Sequence, residues 1–573
     1  MKAGEILISG IFNGSRLLEI PFYQRAYVWE EEQWERFLED LSYVTKTKKP
    51  YFFGSIILKN GRTLHTWETY SDCKVVIDGQ QRLTTLMIFM KVLCLKNREN
   101  NLFERDFMLE DGRIALCHGR NDIEAFQKVI GQTDAELLEN KEPKSQIIAA
   151  YNYFTKHITD ISSYNRTVIK QNAQFVCIDL VEDEDEQQVF DTINSLGVKL
   201  TTAELLKNYF FSQNNVDEYN KNWAAVFEKD DETKAYWDTE VEAGRYKRSL
   251  IDIFFDAYFQ IFIQDKSYGV TAEDKILYTR LDRLAKSYQH FINSYCQGNK
   301  HVMLDHLKSY ADCFFRTFQP DCCDMAIPAS SGAERINVVL FGLKNTTMIP
   351  YLLYIAKNVT DPDEFHKMCG ILESYIMRRM VVHATTKNYN NLFTSLILNR
   401  VLDADSLADR LREGKDATTY IPDNADMQNG FHTSKLYNLQ TKGILYLIES
   451  KIRPANSSTA LLGFNSYSLE HLMPKKWRNH WPPCVTEELG KIRDNRLLTL
   501  GNLAIIPQSL NASIRDADWK TKKAGKKDKL GLVLCAGGLH TLLDVLNKDE
   551  WNEDEIEKRA MWLYGKAVLI WKI

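Results

Sequence analysis

Polar groups able to handle phosphate concentrate in VVIDGQQRLTTLMIFM, Val75 to Met90. Three β-favouring apolar residues run into an Asp–Gly turn, followed by two glutamines, an arginine and two threonines before an apolar helix begins. Part of this is explained by helix starting alone. Asp78 suits an N-cap, Gln81 suits the capping-box position three residues on, and Thr84 and Thr85 suit a first turn. A strand–Gly–helix junction also leaves backbone N–H groups and the positive end of the helix dipole pointing out of a sheet. Arg82 and the glutamine amides add side-chain donors for a phosphate or a base edge. A second Gln–Arg pair, Gln24 and Arg25, lies in IPFYQRAYVW among Tyr23, Tyr27 and Trp29. In a third segment, VFDTINSLGVKLTTAELLKNYF, Thr201 and Glu204 form a T-x-x-E capping box, which leaves Asn194 and Lys207 for polar work.

The second concentration is near the C-terminal end, in YSLEHLMPKKW (Tyr467 to Trp477) and LGNLAIIPQSLNASIRDADWKTKKAGKK. A lone histidine beside a glutamate is usually structural, but the order of groups here is informative. Asn502 lies 31 positions after His471, and Asn511 a further 9 along. That order resembles the HNH, or ββα-metal, nucleases, in which two short strands precede one helix. Phosphodiester hydrolysis needs a base to deprotonate water and a cation to neutralise charge at the phosphate. The resemblance implies His471 as the base, Glu470 and Asn511 as oxygen ligands suited to Mg²⁺ or Mn²⁺, and Asn502 as a brace of the loop between the strands. Asn511 stands where the eponymous motif has His, and Glu470 where Asp is commoner. Lys475, Lys476 and Arg478 flank the first motif. Arg515, Lys520, Lys522, Lys523, Lys526, Lys527 and Lys529 follow the last. Such a run is ordinarily a solvated face; beside a phosphodiesterase site it is a candidate DNA-backbone contact, with Lys475, Lys476, Lys520 and Lys523 the expected residues.

IPFYQRAYVW, YFFGSIIL, IDGQQRLTTL and FDTINSLGVKLTTAELLKN occur in the order seen in the ParB-like DGQQR domain of GmrSD-type restriction systems, and the chain resembles that family over roughly residues 5 to 215. EHLMP, GNLAII and a closing Trp-containing helix resemble the family's C-terminal module. The resemblance implies a ParB/sulfiredoxin-like nucleotide-binding α/β domain that hydrolyses an NTP (GTP, ATP, UTP or CTP). Asp78, Gly79, Gln80, Gln81 and Arg82 would line its site, Gln24 and Arg25 would lie beside it, and Thr84 and Asn194 would complete it. No G-x-x-x-x-G-K-[ST] is present, so a P-loop has no support.

Composition sets the bounds. At 573 residues the chain is too long for one core. Its 44% hydrophobic and 26% charged residues are those of an ordinary globular protein. A net charge of −5 confines any nucleic-acid contact to local basic patches. The 11 cysteines include no C-x-x-C pair, which argues against zinc sites and a disulfide framework and for a reducing, cytoplasmic setting. No signal peptide or membrane-length apolar run is evident.

Periodicity places these groups on elements. QWERFLEDL puts Trp34, Phe37, Leu38 and Leu41 on one helical face, and YFFGSIIL, KVVI and QFVCIDL read as strands, with an acidic EDEDE run after the last. Helical segments follow, among them RSLIDIFFDAYFQIFI and GILESYIMRRMVVH. In the latter, Arg378 and Arg379 either contact phosphate or, more in keeping with an apolar helix, brace the acidic N-terminal region. The expected architecture is multidomain α+β: an α/β nucleotide-binding domain at 1–215, a helical scaffold at 216–430, and an HNH module with flanking helices at 431–573. The expected function is an NTP-regulated, modification-dependent DNA endonuclease or nickase of the type IV restriction kind, acting in anti-phage defence on modified phage DNA. Tyr23 would help hold an altered or flipped group. The alternatives are an NTP-dependent DNA- or protein-binding switch without cleavage, and an HNH enzyme directed at RNA. Homo-oligomerisation is left open.

Overall fold

The computed structural model describes residues 2–60, 72–119, 121–141, 144–180, 201–211, 215–244, 246–280, 283–330, 332–454, 456–457, 459–508, 516–526 and 529–572. Asn194, Asn511, the EDEDE run and Arg515 fall outside them. The chain divides into two compact units, Met1–Lys234 and Ala235–Ile573. Most of the expected helical scaffold and all of the expected C-terminal module belong to the second.

The first unit is built on a six-stranded mixed sheet. Its strands are β1 (Lys2–Leu7), β2 (Arg16–Glu19), β3 (Tyr51–Asn60), β4 (Asp72–Asp78), β5 (Leu116–Cys117) and β6 (Ala173–Leu180), in the order β1-β6-β3-β4-β2-β5. β3 lies parallel to β6 and antiparallel to β4, while β4, β2 and β5 run parallel. The Gln80–Lys96 helix leaves the end of β4 and is apolar nearly all round, with every residue from Leu83 to Leu95 buried. An all-round apolar helix has to be a core helix, and it packs in one cluster with strand residues Ile56, Leu58 and Val76. Trp34, Phe37, Leu38 and Leu41 form the buried stripe of the Glu31–Thr47 helix, as their spacing predicts. The Thr201–Glu204 capping box is present, with Glu204 N–H donating to Thr201 Oγ1 at 3.2 Å and Thr201 N–H to Glu204 Oε2 at 2.7 Å.

The second unit is mainly helical. It opens with a hairpin, β7 (Glu240–Ala243) and β8 (Tyr246–Ser249), feeding the buried Leu250–Gln264 helix. Later it contains an antiparallel pair, β9 (Tyr467–His471) and β10 (Leu503–Pro507). The Pro362–Val381, Asn438–Ile452 and Glu553–Ile570 helices meet around buried charges. No helix among the described residues is long and apolar enough to cross a membrane, and all 11 cysteines are free thiols.

Arg378 and Arg379 brace a different segment from the acidic N-terminal one expected of them. Arg378 donates to the carbonyls of Trp571 and Pro422 and to Asn424. Arg379 donates to the carbonyls of Thr385, Ala417, Thr418 and Tyr420. Both side chains are buried, and both serve to order the connection from 417 to 424. Lys207 is likewise committed, buried against Glu228 at 3.3 Å.

Candidate functional site

At the end of β4 the helix begins one residue later than the sequence suggests. Gly79, not Asp78, is the N-cap, at φ +100°, and no side chain caps the first turn. Only glycine takes that conformation without strain, and a Cβ there would stand 2.6 Å from Ile56 Cγ2. Asp78 turns instead to Arg82, accepting from its Nη2 at 3.2 Å, while Arg82 Nη1 donates to the Ser55 carbonyl at 3.0 Å. The guanidinium fits because Gly54, at φ +110° beside a register shift in β3, has no side chain in its way. A glycine inside YFFGSIIL is the sequence signal for such a close approach.

The two Gln–Arg motifs meet, and the glutamines are what join them. Gln24 Nε2 donates to the carbonyls of Val76 (2.8 Å) and Ile77 (3.0 Å) on β4. Gln80 Nε2 donates to the Arg25 carbonyl at 2.7 Å. Gln81 accepts from Val28 N–H at 2.9 Å and donates to the Ala26 carbonyl at 3.2 Å, so it spans to this loop and does not complete a capping box. The loop carrying Tyr23, Gln24 and Arg25 is thereby tied across the mouth of the β4–helix junction. Tyr23 is only 7% exposed, so its ring is packed inside and not presented as a stacking surface. Thr84 is fully buried against His118 (Oγ1 to Nε2, 3.0 Å). The first turn of the helix is thus left without a side-chain cap, the Arg82 side chain is partly exposed, and the buried Gln80 Oε1 is an acceptor with no hydrogen-bond partner among the described residues.

Behind this loop lies a buried titratable pair with no signature in the sequence. Asp122 Oδ2 accepts from Tyr27 N–H at 2.7 Å and stands 4.0 Å from His118 Nδ1. Burial pushes His118 down to about 3 and Asp122 up to about 6. His118 stabilises the fold fully above pH 6.5, its unfolded value, and loses that contribution as pH falls towards 3. Asp122 acts in the opposite sense, stabilising below 3.8 and losing its contribution as pH rises through 6. The two therefore offset each other between those pH values. Asp122→Asn is expected to remove the offset, so that lowering pH from 7 to 4.5 depresses the melting temperature more than in the wild type. Equal depressions in the two proteins would refute the opposed pair.

In the second unit, β9 and β10 pair so that His471 faces Leu503 and Glu470 faces Ala504. Asn502, just before β10, is fully buried with every polar atom used. Its amide nitrogen donates to the carbonyls of Met473 (2.8 Å) and Leu497 (3.0 Å). Its oxygen accepts from Met473 N–H (2.8 Å) and Trp551 Nε1 (3.0 Å). It pins the chain leaving His471 to the start of the partner strand, and the Trp551 end of that clamp is invisible in sequence.

His471 is half-buried, and burial, assisted by Lys475 and Lys522, lowers it to about 4, so the imidazole is neutral at neutral pH. Glu470 is raised, because burial outweighs the pull of Lys522. Lys522 is wholly buried, ion-pairs with Glu470 and donates to the His471 carbonyl at 2.6 Å. It is thus no part of the solvated face that a run of lysines suggests. Lys475, Lys476 and Lys520 are exposed. Lys523 bends back to the Lys548 carbonyl at 2.6 Å. Glu470 and the nearby Asp516 are oxygen donors of the kind Mg²⁺ accepts, since that ion keeps waters and takes one or two carboxylates. Among the described residues no cluster of three or more His, Cys, Asp or Glu is closed around a metal position.

The geometry defines a two-unit protein: a sheet domain whose Gln80–Lys96 helix starts without a side-chain cap, and a helical unit with a neutral histidine at the end of a two-strand ribbon. Residues 8–211 match the family model described as "GmrSD restriction endonuclease, N-terminal domain", and residues 421–566 match "GmrSD restriction endonucleases, C-terminal domain". The chain belongs to the GmrSD restriction endonuclease family, and DNA is the partner such an enzyme acts on. No curated protein matches it.

Proposed function

We propose that this protein is an NTP-regulated, modification-dependent DNA endonuclease or nickase of the type IV restriction kind, which protects its cell against phage DNA. The observation that carries the reading is the end of β9: a neutral His471, a clamped Asn502 behind it and exposed Lys475, Lys476 and Lys520 around it. His471 takes the proton from the attacking water. Glu470, with Asn511, would hold Mg²⁺ or Mn²⁺, which supplies charge neutralisation at the phosphate. The lysines contact the DNA backbone.

In the first unit, the uncapped turn at Gly79, Gln80 and Gln81 and the Arg82 guanidinium would receive the phosphates of an NTP. The orphaned Gln80 oxygen would accept a donor from it. Because Gln24, Gln80 and Gln81 already bind the Gln24–Val28 loop to this turn, occupancy there acts on the loop directly. The test is strand scission of supercoiled plasmids, with and without base modification, in Mg²⁺ or Mn²⁺ and with each NTP in turn. Metal-dependent nicking whose rate changes with NTP is the expected result. NTP-dependent DNA binding with no scission under any combination would replace this reading with the non-cleaving switch.

A further inference from the structure

Lys522 belongs to the Trp519–Ala524 helix, whose start is fixed by Asp518 accepting from Thr521 N–H at 2.9 Å and from its hydroxyl at 2.7 Å. Trp519 and Lys522, three apart, point the same way, into the protein. The ammonium has three donors. One goes to the Glu470 carboxylate and another to the His471 carbonyl, so a single group grips two successive residues of β9. The charges that bear on it are those of Glu470 and Asp516. A buried ammonium and a buried carboxylate each require a partner, and here each is the other's.

The geometry points to Lys522 as a positioning residue of the nuclease centre, and we propose that it has two effects. By holding the His471 carbonyl it fixes the strand segment from which the imidazole projects. By neutralising Glu470 it also shares that carboxylate with the divalent cation, which is therefore held more loosely than an unshared glutamate would hold it. This inference rests on the nuclease reading of His471 and concerns the same centre.

The experiment is Mn²⁺ titration of the full-length protein without DNA, followed by electron paramagnetic resonance, beside nicking rates at saturating Mn²⁺. In Lys522→Met the repulsion between two cations is gone, and Mn²⁺ is expected to bind about tenfold more tightly or better. The maximal nicking rate falls about 100-fold in the same variant, because the histidine is no longer held in place. A structural brace alone would not tighten metal binding, so unchanged or weaker Mn²⁺ affinity overturns the proposal. Should Lys522→Met not fold, Glu470→Gln takes its place. It keeps an acceptor for the ammonium and is expected to weaken Mn²⁺ binding, and unaltered binding would refute the sharing of Glu470. If the wild type nicks no DNA, the nuclease reading fails, yet the metal titrations still test whether Lys522 shares Glu470 with the cation.

Discussion

His471→Ala is expected to slow metal-dependent nicking by about 10²- to 10⁴-fold, the range for losing a general base, without loss of folded protein. The side chain is only half-buried, and the group that Lys522 grips at this position is the backbone carbonyl, which alanine retains. Asn502 binds Met473 and Leu497, so its clamp is also untouched. The substitution thus separates chemistry from architecture. The measurement is the initial rate of plasmid nicking at saturating Mg²⁺, with melting temperature as the control for folding. Equal rates in variant and wild type would remove His471 from the chemistry, and the nuclease assignment would then need another base. Asn502→Ala makes the contrast. It leaves Met473 N–H and Trp551 Nε1 without their buried acceptor, so its loss of rate comes with a loss of stability.

What the sequence makes legible follows from the range of the interactions involved. The Trp34–Leu41 stripe and the Thr201–Glu204 box are local, and periodicity and spacing capture both. The β4–Gly–helix junction is legible as a place, but not as a set of bonds. Asp78 reads as an N-cap because the rule is local, whereas its actual partner, Arg82, is admitted by Gly54 on another strand. The glutamines read as ligand donors because their real acceptors, carbonyls more than 50 positions away, have no sequence signature. Lys522 is the instructive case. In a run of lysines it looks solvated, and the one clue is its position three residues after Trp519 on a capped helix. Arg378 and Arg379 carry a clearer warning, since two guanidinium groups in an apolar helix must find partners. Only the fold can say that those partners include the carbonyls of Ala417, Thr418, Tyr420 and Pro422.

A larger loss of stability is expected from Glu373→Ala. Arg335 is 1% exposed and grips both Glu373 oxygens, through Nε at 2.9 Å and Nη2 at 2.6 Å, while Nη1 donates to Ser450 Oγ at 2.6 Å. Trp571 Nε1 donates to the same carboxylate at 2.9 Å. The Glu373–Arg335 pair thus joins the Ala333–Asn337, Pro362–Val381 and Asn438–Ile452 helices to Trp571. Truncating it strands a guanidinium charge where water does not reach, and removing one member of such a pair costs about 3–5 kcal/mol. Replacing both partners with apolar side chains of similar size, as in Arg335→Met with Glu373→Leu, removes the charge with its counter-charge and is expected to recover most of that loss. Hydrogen exchange in the Asn438–Ile452 helix reads the effect locally, where a global melt would mix the two units. A single variant that protects this helix as well as the wild type does would show that Arg335 does not depend on the carboxylate. The Ser450 hydroxyl and Leu447 carbonyl it already uses would then have to carry the charge alone.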